Sequence, residues 1–178
     1  MFGVMSQKLH NFQESLKRSQ AQAEAGWWLE VYRAAFPDLE SAVCVRDDGW
    51  AQRGGVDRVL TLSSGKTLTV DEKVRSTEYD DILLEYWSDE KRRVRGWVAK
   101  DLACDFIAYA FEKSGRCYLL PFQSLRRAWR LNGRDWVNTY RRVEARNPGY
   151  VTVSVPVPTV ELLNAVRDAM LVHWPSAA

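Results

Sequence analysis

Apolar side chains recur at steps of three and four residues between positions 7 and 36, and Pro37 follows directly. This spacing places the apolar groups on one face of an α-helix, and a proline ends such a pattern because it lacks the backbone N–H that a helix needs. We therefore predict one long helix over residues 7–36. Its segment 19–25 is only weakly apolar, so residues 1–20 are expected to form a helical N-terminal extension.

Short apolar segments of β character follow this helix. Turns that contain glycine, at residues 63–66 and 113–115, each join two of these segments. Such turns are typical of β-hairpins because glycine accepts a positive φ without steric cost. The predicted strands span residues 42–46, 56–62, 67–74, 82–87, 105–111, 116–120 and 151–157.

The last third of the chain alternates between helical and strand patterns. Pro121 suits the first turn of a helix and predicts one over residues 122–131, followed by a short helical stretch at 135–142. Thr159 is a suitable cap for a final amphipathic helix that ends near residue 172.

The composition is that of an ordinary globular protein and excludes a largely disordered chain. Of 178 residues, 46% are apolar and 27% charged, and eight Trp, seven Tyr and six Phe are present. The order of helix, antiparallel strands and mixed elements predicts an α/β or α+β fold. We expect residues 1–178 to form a single domain, with residues 121–178 as a C-terminal helix–strand–helix elaboration.

Several classes of protein do not fit this sequence. Three cysteines without a CxxC spacing and only two histidines argue against a disulfide framework and a structural zinc site. No apolar run approaches the ~20 residues of a bilayer-spanning helix, and no secretory signal pattern is seen. We therefore expect a cytoplasmic protein with no membrane partner.

One predicted hairpin carries a group of charged side chains. Side chains alternate between the two faces of a strand, so Asp71 and Lys73 project together while Glu72 faces the other way. Asp57 begins the preceding strand, and pairing of the two strands brings it close to Asp71 and Lys73. Two carboxylates suit a hard cation such as Mg²⁺ or Mn²⁺, which activates a bound water while the lysine orients or activates the nucleophile.

These residues resemble the signature of the PD-(D/E)XK nuclease superfamily. The sequence Gly55-Val56-Asp57 is similar to its first part and Asp71-Glu72-Lys73 to its second, with thirteen residues between the two aspartates. The chain departs from the commoner form by having Asp71 instead of Glu, and Val56 instead of Pro. The resemblance covers about residues 24–120. It implies an αβββαβ restriction-endonuclease-like core, a mixed central β-sheet flanked by helices.

The resemblance also implies which residues act. A glutamate of the first helix often joins the site in this superfamily, and Glu30, in Gly26-Trp27-Trp28-Leu29-Glu30, matches it, with Glu24 as the weaker alternative. The implied catalytic residues are therefore Asp57, Asp71, Lys73 and Glu30. Asp57 and Asp71 are the implied metal ligands.

Simpler interpretations of the same residues remain open. Asp71 and Lys73 suit the solvated face of an edge strand, and Asp57 suits a turn after two glycines. A bulge in the strand would let Glu72 take the place of Asp71.

Basic residues gather in two segments although the whole chain carries a net charge of only +2. Residues 89–100 hold five basic and two acidic side chains, and residues 126–146 hold seven arginines and two acidic residues. Together with nearby aromatic residues, they suggest a face that contacts phosphates and stacks on bases, or else solvated helix surfaces. The candidate contacts to nucleic acid are Arg126, Arg127, Arg130 and Arg134.

The sequence thus favours a Mg²⁺-dependent endonuclease that hydrolyses phosphodiester bonds, with DNA as the expected substrate. The alternatives are a protein of the same fold that binds nucleic acid without cleaving it, and a small protein-interaction module. A cut through both strands of a duplex needs two active sites, so a homodimer is also considered.

Overall fold

The computed structural model describes residues 25–175, which form two β-sheets and four α-helices. The N-terminal extension predicted at 1–20 lies outside the described residues, as do residues 7–24 of the predicted long helix. The helices are α1 (Trp27–Ala35), α2 (Gly49–Gly54), α3 (Phe122–Thr139) and α4 (Thr159–Ala165), with 3₁₀ turns at Trp97–Ala99 and Glu112–Ser114. The strands are β1 (Leu39–Cys44), β2 (Arg58–Leu62), β3 (Thr67–Arg75), β4 (Asp81–Asp89), β5 (Val94–Arg95), β6 (Phe106–Phe111), β7 (Arg116–Pro121), β8 (Val143–Asn147), β9 (Tyr150–Pro158) and β10 (Met170–His173).

The larger sheet has six strands in the order β1-β2-β3-β6-β7-β10. All neighbours are antiparallel except β3 and β6, which run parallel. The two predicted hairpins are present, and Gly65 (φ 79°) and Gly115 (φ 57°) occupy the left-handed region that their turns require. The predicted mixed sheet of an α+β fold is therefore confirmed.

The crossover from β3 to β6 differs from the core that the family resemblance implies. An αβββαβ core has an α-helix at this point, whereas residues 76–105 contain β4, β5 and a 3₁₀ turn. Strand β4 leaves the larger sheet and pairs with β9 in a second antiparallel sheet of order β5-β4-β9-β8. The chain satisfies the backbone groups of its crossover by this pairing instead of by a helix.

Two apolar clusters lie on opposite faces of the larger sheet. On one face, α1 buries Trp28, Val31 and Tyr32 against a cluster that includes Val70 and Leu119. On the other face, α3, α4 and the second sheet bury a larger cluster. Successive residues of β6 and β7 belong alternately to the two clusters, because side chains alternate between the faces of a strand. Within the described residues, no helix is long and apolar enough to cross a membrane.

The C-terminal predictions need two corrections. The predicted helices at 122–131 and 135–142 form one continuous helix, α3, which ends at Thr139. The final helix ends at Ala165 instead of near residue 172, because the chain turns at Asp168 (φ 61°) and continues as β10 along the free edge of β7. Pairing with that edge satisfies backbone groups of both strands, which a longer surface helix would leave to solvent.

Candidate functional site

Asp57 is held by the glycine turn before it and by the strand beside it. Gly55 ends α2 in the left-handed conformation (φ 67°), and a Cβ at this position would lie 2.7 Å from Leu102 Cδ2. The positive φ and the nearby leucine both favour glycine at this turn into β2. The Asp57 N–H then donates to the carbonyl of Val70 (2.8 Å), and Asp57 Oδ2 accepts from the backbone N–H of Glu72 (2.8 Å).

Asp71 and Lys73 lie on the same face of β3, as predicted, and the ammonium of Lys73 donates to Asp71 Oδ1. Asp71 is almost wholly buried, with 4% of its surface exposed, whereas Lys73 is half-buried. The Lys73 Nζ lies 6.0 Å from the ring centroid of Trp97 in the crossover. The structure thus brings Asp57, Asp71 and Lys73 together, and we call these three residues the acidic cluster.

Burial controls the electrostatics of the acidic cluster. Loss of solvent raises the pKa of Asp71 to about 6, and the nearby carboxylate of Asp57 adds to this increase while Lys73 opposes it. Burial by itself lowers the pKa of Lys73, but attraction to Asp71, Asp57 and Glu85 outweighs it and the pKa is raised. Lys73 is therefore a cation at neutral pH.

Glu72 lies on the opposite face of β3, as the strand alternation predicts. Its fully buried carboxylate accepts from Arg58 Nε (2.6 Å) and from the Tyr32 hydroxyl (2.8 Å), and Arg46 Nη2 lies 3.7 Å away. Burial raises the pKa of Glu72, although Arg58 and Tyr32 counteract this effect. Sequence reasoning missed these three partners, since Tyr32 and Arg46 belong to other elements and only Arg58 stands near the motif.

Arg46 approaches both Glu72 on one face of β3 and the acidic cluster on the other, because its Nε also lies 3.1 Å from Asp57 Oδ1. Three carboxylates, those of Asp57, Asp71 and Glu72, therefore each have a basic neighbour. Asp57 faces Arg46, Asp71 faces Lys73, and Glu72 faces Arg58.

Glu30 is not brought to the acidic cluster. It is exposed on α1, whose buried face packs on the Glu72 side of the sheet, where Tyr32 contacts Glu72. The expectation that Glu30 joins Asp57 and Asp71 therefore finds no support in the structure, because it requires the helix to present a different face. Its alternative, Glu24, lies outside the described residues.

The acidic cluster offers few protein ligands to a cation. Among residues 25–175, no group of three or more His, Cys, Asp or Glu side chains is arranged to hold a metal ion. Two neighbouring carboxylates nevertheless fit Mg²⁺, which keeps several waters and is commonly bound by one or two carboxylates and substrate phosphates. Each carboxylate oxygen also has two acceptor positions, so the existing contacts leave acceptor capacity on Asp57 and Asp71.

The predicted basic residues of α3 divide into two groups. Arg126, Arg130 and Arg134 recur every four residues and line a groove of about 530 Å³, to which β4, β5 and the 3₁₀ turn at Trp97–Ala99 also contribute. Arg127 is exposed and is not among the residues of this groove. The 3₁₀ turn relates the groove to the acidic cluster, because Val98 lines the groove while the neighbouring Trp97 faces Lys73.

Comparison with protein-family models, with characterised proteins and with solved structures finds no match to this chain.

Proposed function

We propose that this protein is a metal-dependent nuclease that hydrolyses phosphodiester bonds in nucleic acid, with DNA as the first substrate to test. The observation that carries the proposal is the meeting of Asp57, Asp71 and Lys73 on one side of β3. Two carboxylates and an ammonium beside each other match the groups that hold a divalent cation and stabilise charge on a phosphate. The fit of two carboxylates to Mg²⁺ or Mn²⁺ also supports a metal-dependent reaction.

Each residue of the acidic cluster has its own part in this proposal. Asp57 and Asp71 would hold the cation, which supplies an activated water and offsets the charge of the phosphate when it is bound. Lys73 orients the Asp71 carboxylate through their direct contact. Because its pKa is raised, Lys73 remains protonated and stabilises negative charge instead of accepting a proton from water.

The groove beside α3 supports nucleic acid as the substrate. Arg126, Arg130 and Arg134 face it from successive turns of one helix, and the 3₁₀ turn that lines it also contacts Lys73 through Trp97. Guanidinium groups bind phosphate oxygens well because they are permanently charged and offer several N–H donors in a plane. A polyanion held in this groove would lie next to the 3₁₀ turn whose Trp97 faces Lys73.

A second function is favoured by the balance of charges around β3. Each of Asp57, Asp71 and Glu72 has a basic partner, so the network is compensated without a metal ion. This arrangement suits a protein that binds nucleic acid through the groove beside α3 and in which each buried carboxylate is paired with a basic side chain of the protein.

The two functions are separated by measuring Mn²⁺ binding and cleavage on the same preparations. We would titrate Mn²⁺ calorimetrically and incubate the protein with supercoiled plasmid, single-stranded DNA and RNA, with Mn²⁺, with Mg²⁺ and with EDTA. The nuclease proposal expects metal binding and metal-dependent cleavage, both lost in Asp57→Asn and Asp71→Asn. Asp81→Asn is the matched control, since Asp81, like Asp57, is a half-buried carboxylate with an arginine partner, here Arg75 at 2.6 Å.

Two results would contradict the nuclease proposal. The first is the absence of Mn²⁺ binding by the parent protein together with the absence of cleavage. The second is cleavage that survives in both aspartate variants as well as in Asp81→Asn. Nucleic-acid binding without Mn²⁺ binding would instead favour the second function.

A further inference from the structure

The groove beside α3 is lined by both aromatic and basic side chains. Three aromatic residues and four arginines contribute to its wall. The aromatic residues are Tyr86, Trp87 and Trp129, and the arginines are Arg95, Arg126, Arg130 and Arg134.

The aromatic rings of the groove form a continuous row. The ring centroid of Trp129 lies 6.0 Å from that of Tyr86, which in turn lies 6.1 Å from that of Trp87. All three side chains are half-buried, so each ring packs on the protein while part of it lines the groove. Gly133 makes room for this row, because a Cβ there would lie 2.9 Å from the Trp129 ring.

In the part of the chain that the structure describes, one of the four arginines of the groove has an acidic partner. Arg126 pairs with Asp101 at 2.6 Å. Arg95, Arg130 and Arg134 are exposed, and within residues 25–175 no acidic side chain forms an ion pair with them. None of the described residues that line the groove is acidic. The surface is therefore strongly positive beside an aromatic row, which is the complement of an aromatic polyanion.

We infer that this groove binds a single-stranded segment of nucleic acid, with an unpaired base stacked on Trp129 and the adjoining phosphates on Arg130 and Arg134. This inference rests on the proposed function only for the cleavage of the bound strand. The single strand as the class of substrate is argued from the groove itself. The bases of a duplex are stacked on one another and cannot insert between aromatic side chains, whereas the bases of a single strand can. A volume of about 530 Å³ suits a short piece of a strand, as it lies within the range of small-ligand pockets.

The test is a fluorescence-anisotropy titration of the full chain in EDTA, so that neither metal binding nor cleavage takes part. The probes are a labelled oligothymidylate, the matching oligouridylate and a labelled DNA duplex of the same length. We expect both single strands to bind more tightly than the duplex. We also expect the affinity to fall as salt is raised, with a slope of about −0.7 for each phosphate contact.

Two kinds of variant separate stacking from charge. Trp129→Ala should weaken binding of the single strand by about 5- to 150-fold with an unchanged salt slope, because base stacking on an aromatic ring contributes about 1–3 kcal/mol. Trp129→Phe should restore most of the loss. The double variant Arg130→Glu, Arg134→Glu should weaken binding and flatten the salt slope, and its exposed positions keep the fold intact.

Matched controls come from the same chain. Trp50 is 70% exposed on α2 and does not line the groove, so Trp50→Ala should bind like the parent. Arg127→Glu changes an exposed arginine of the same helix that does not line the groove, and it should affect binding far less than either groove arginine. Circular dichroism of each variant checks that its fold is retained.

The inference is overturned if the duplex binds as tightly as the single strands, if the parent binds neither, or if Trp129→Ala binds like the parent. Equal competition by inorganic polyphosphate would also overturn it, because polyphosphate has no bases to stack. Binding in EDTA that is not followed by cleavage in Mn²⁺ supports the groove and counts against the nuclease. If the protein cleaves in Mn²⁺ but Trp129→Ala binds like the parent, the nuclease proposal is supported and the groove inference is contradicted.

Discussion

Asp57 Oδ2 accepts a hydrogen bond from the backbone N–H of Glu72 at 2.8 Å, and this bond joins the residue just before β2 to the middle of β3. It explains why an aspartate outside any strand lies beside Asp71. The same carboxylate faces Arg46, so its position is set from two sides before any ligand is considered. Asp57 therefore has a structural role and a proposed metal-binding role. The structural role needs an oxygen that accepts the Glu72 N–H, whereas the metal-binding role needs the charged carboxylate.

Substitution of Asp57 by Asn and by Ala separates these roles. An Asn oxygen can still accept from the Glu72 N–H, whereas Ala leaves this donor without its partner. We expect Asp57→Ala to lower the free energy of unfolding by about 1–3 kcal/mol, and Asp57→Asn to lower it less. Both should lose Mn²⁺ binding. Denaturant unfolding and calorimetry give the two readouts, and Mn²⁺ affinity equal to that of the parent in both variants would exclude Asp57 as a ligand.

Asp71 should make stability depend on pH in EDTA. Its pKa in the folded protein is about 6 against an ordinary value of 3.8, so its contribution to stability is complete below pH 3.8 and is lost as pH rises through 6. The shift corresponds to about 3 kcal/mol at about 1.4 kcal/mol per pKa unit. The Asn side chain of Asp71→Asn cannot ionise. Between pH 4 and pH 7, the free energy of unfolding of this variant should therefore rise relative to that of the parent by up to this amount.

Denaturant unfolding of the parent and of Asp71→Asn at both pH values measures this difference. Their comparison at pH 4, where Asp71 is largely protonated, is the internal control for the loss of contacts other than charge. If the variant instead loses stability relative to the parent as pH rises, then Lys73 outweighs burial and the pKa of Asp71 is lowered.

Lys73 should affect turnover more than metal binding. Because it is a cation in contact with Asp71 and not itself a ligand, Lys73→Ala is expected to reduce single-turnover cleavage by about 100- to 1,000-fold, as the loss of one charge-stabilising donor does. Mn²⁺ affinity should change much less. Lys73→Arg retains the charge and should recover part of the rate. Equal losses of rate and affinity in Lys73→Ala would mean that Lys73 only holds the local structure.

The Tyr32 hydroxyl should stabilise the fold through Glu72. It donates to the buried carboxylate at 2.8 Å, and a hydrogen bond to a charged group contributes about 1.5–3 kcal/mol. Tyr32→Phe is therefore expected to lower the free energy of unfolding by this amount and to leave Mn²⁺ binding unchanged. Tyr79→Phe is the control, since Tyr79 is exposed and should tolerate the change within about 0.5 kcal/mol. Identical unfolding curves for the two variants would contradict a stabilising role of the Tyr32 hydroxyl.

The sequence by itself determined the local features of the site. The hairpin of β2 and β3 follows from two apolar segments around a glycine turn, and the alternation of side chains places Asp71 and Lys73 on one face and Glu72 on the other. Both follow from interactions over a few residues, which the order of the amino acids specifies directly. For the same reason α3 begins just after Pro121, as predicted.

Only the tertiary structure decided which elements become neighbours. Nothing in the local pattern of β4 indicates that it pairs with β9, about 70 residues later, or that the final segment joins the edge of β7 as β10. The same holds for the face that α1 presents, which brings Tyr32 and not Glu30 towards β3. Local periodicity shows that a face is apolar but not what covers it, because long-range pairing depends on which sheet edges and apolar faces the rest of the chain leaves open.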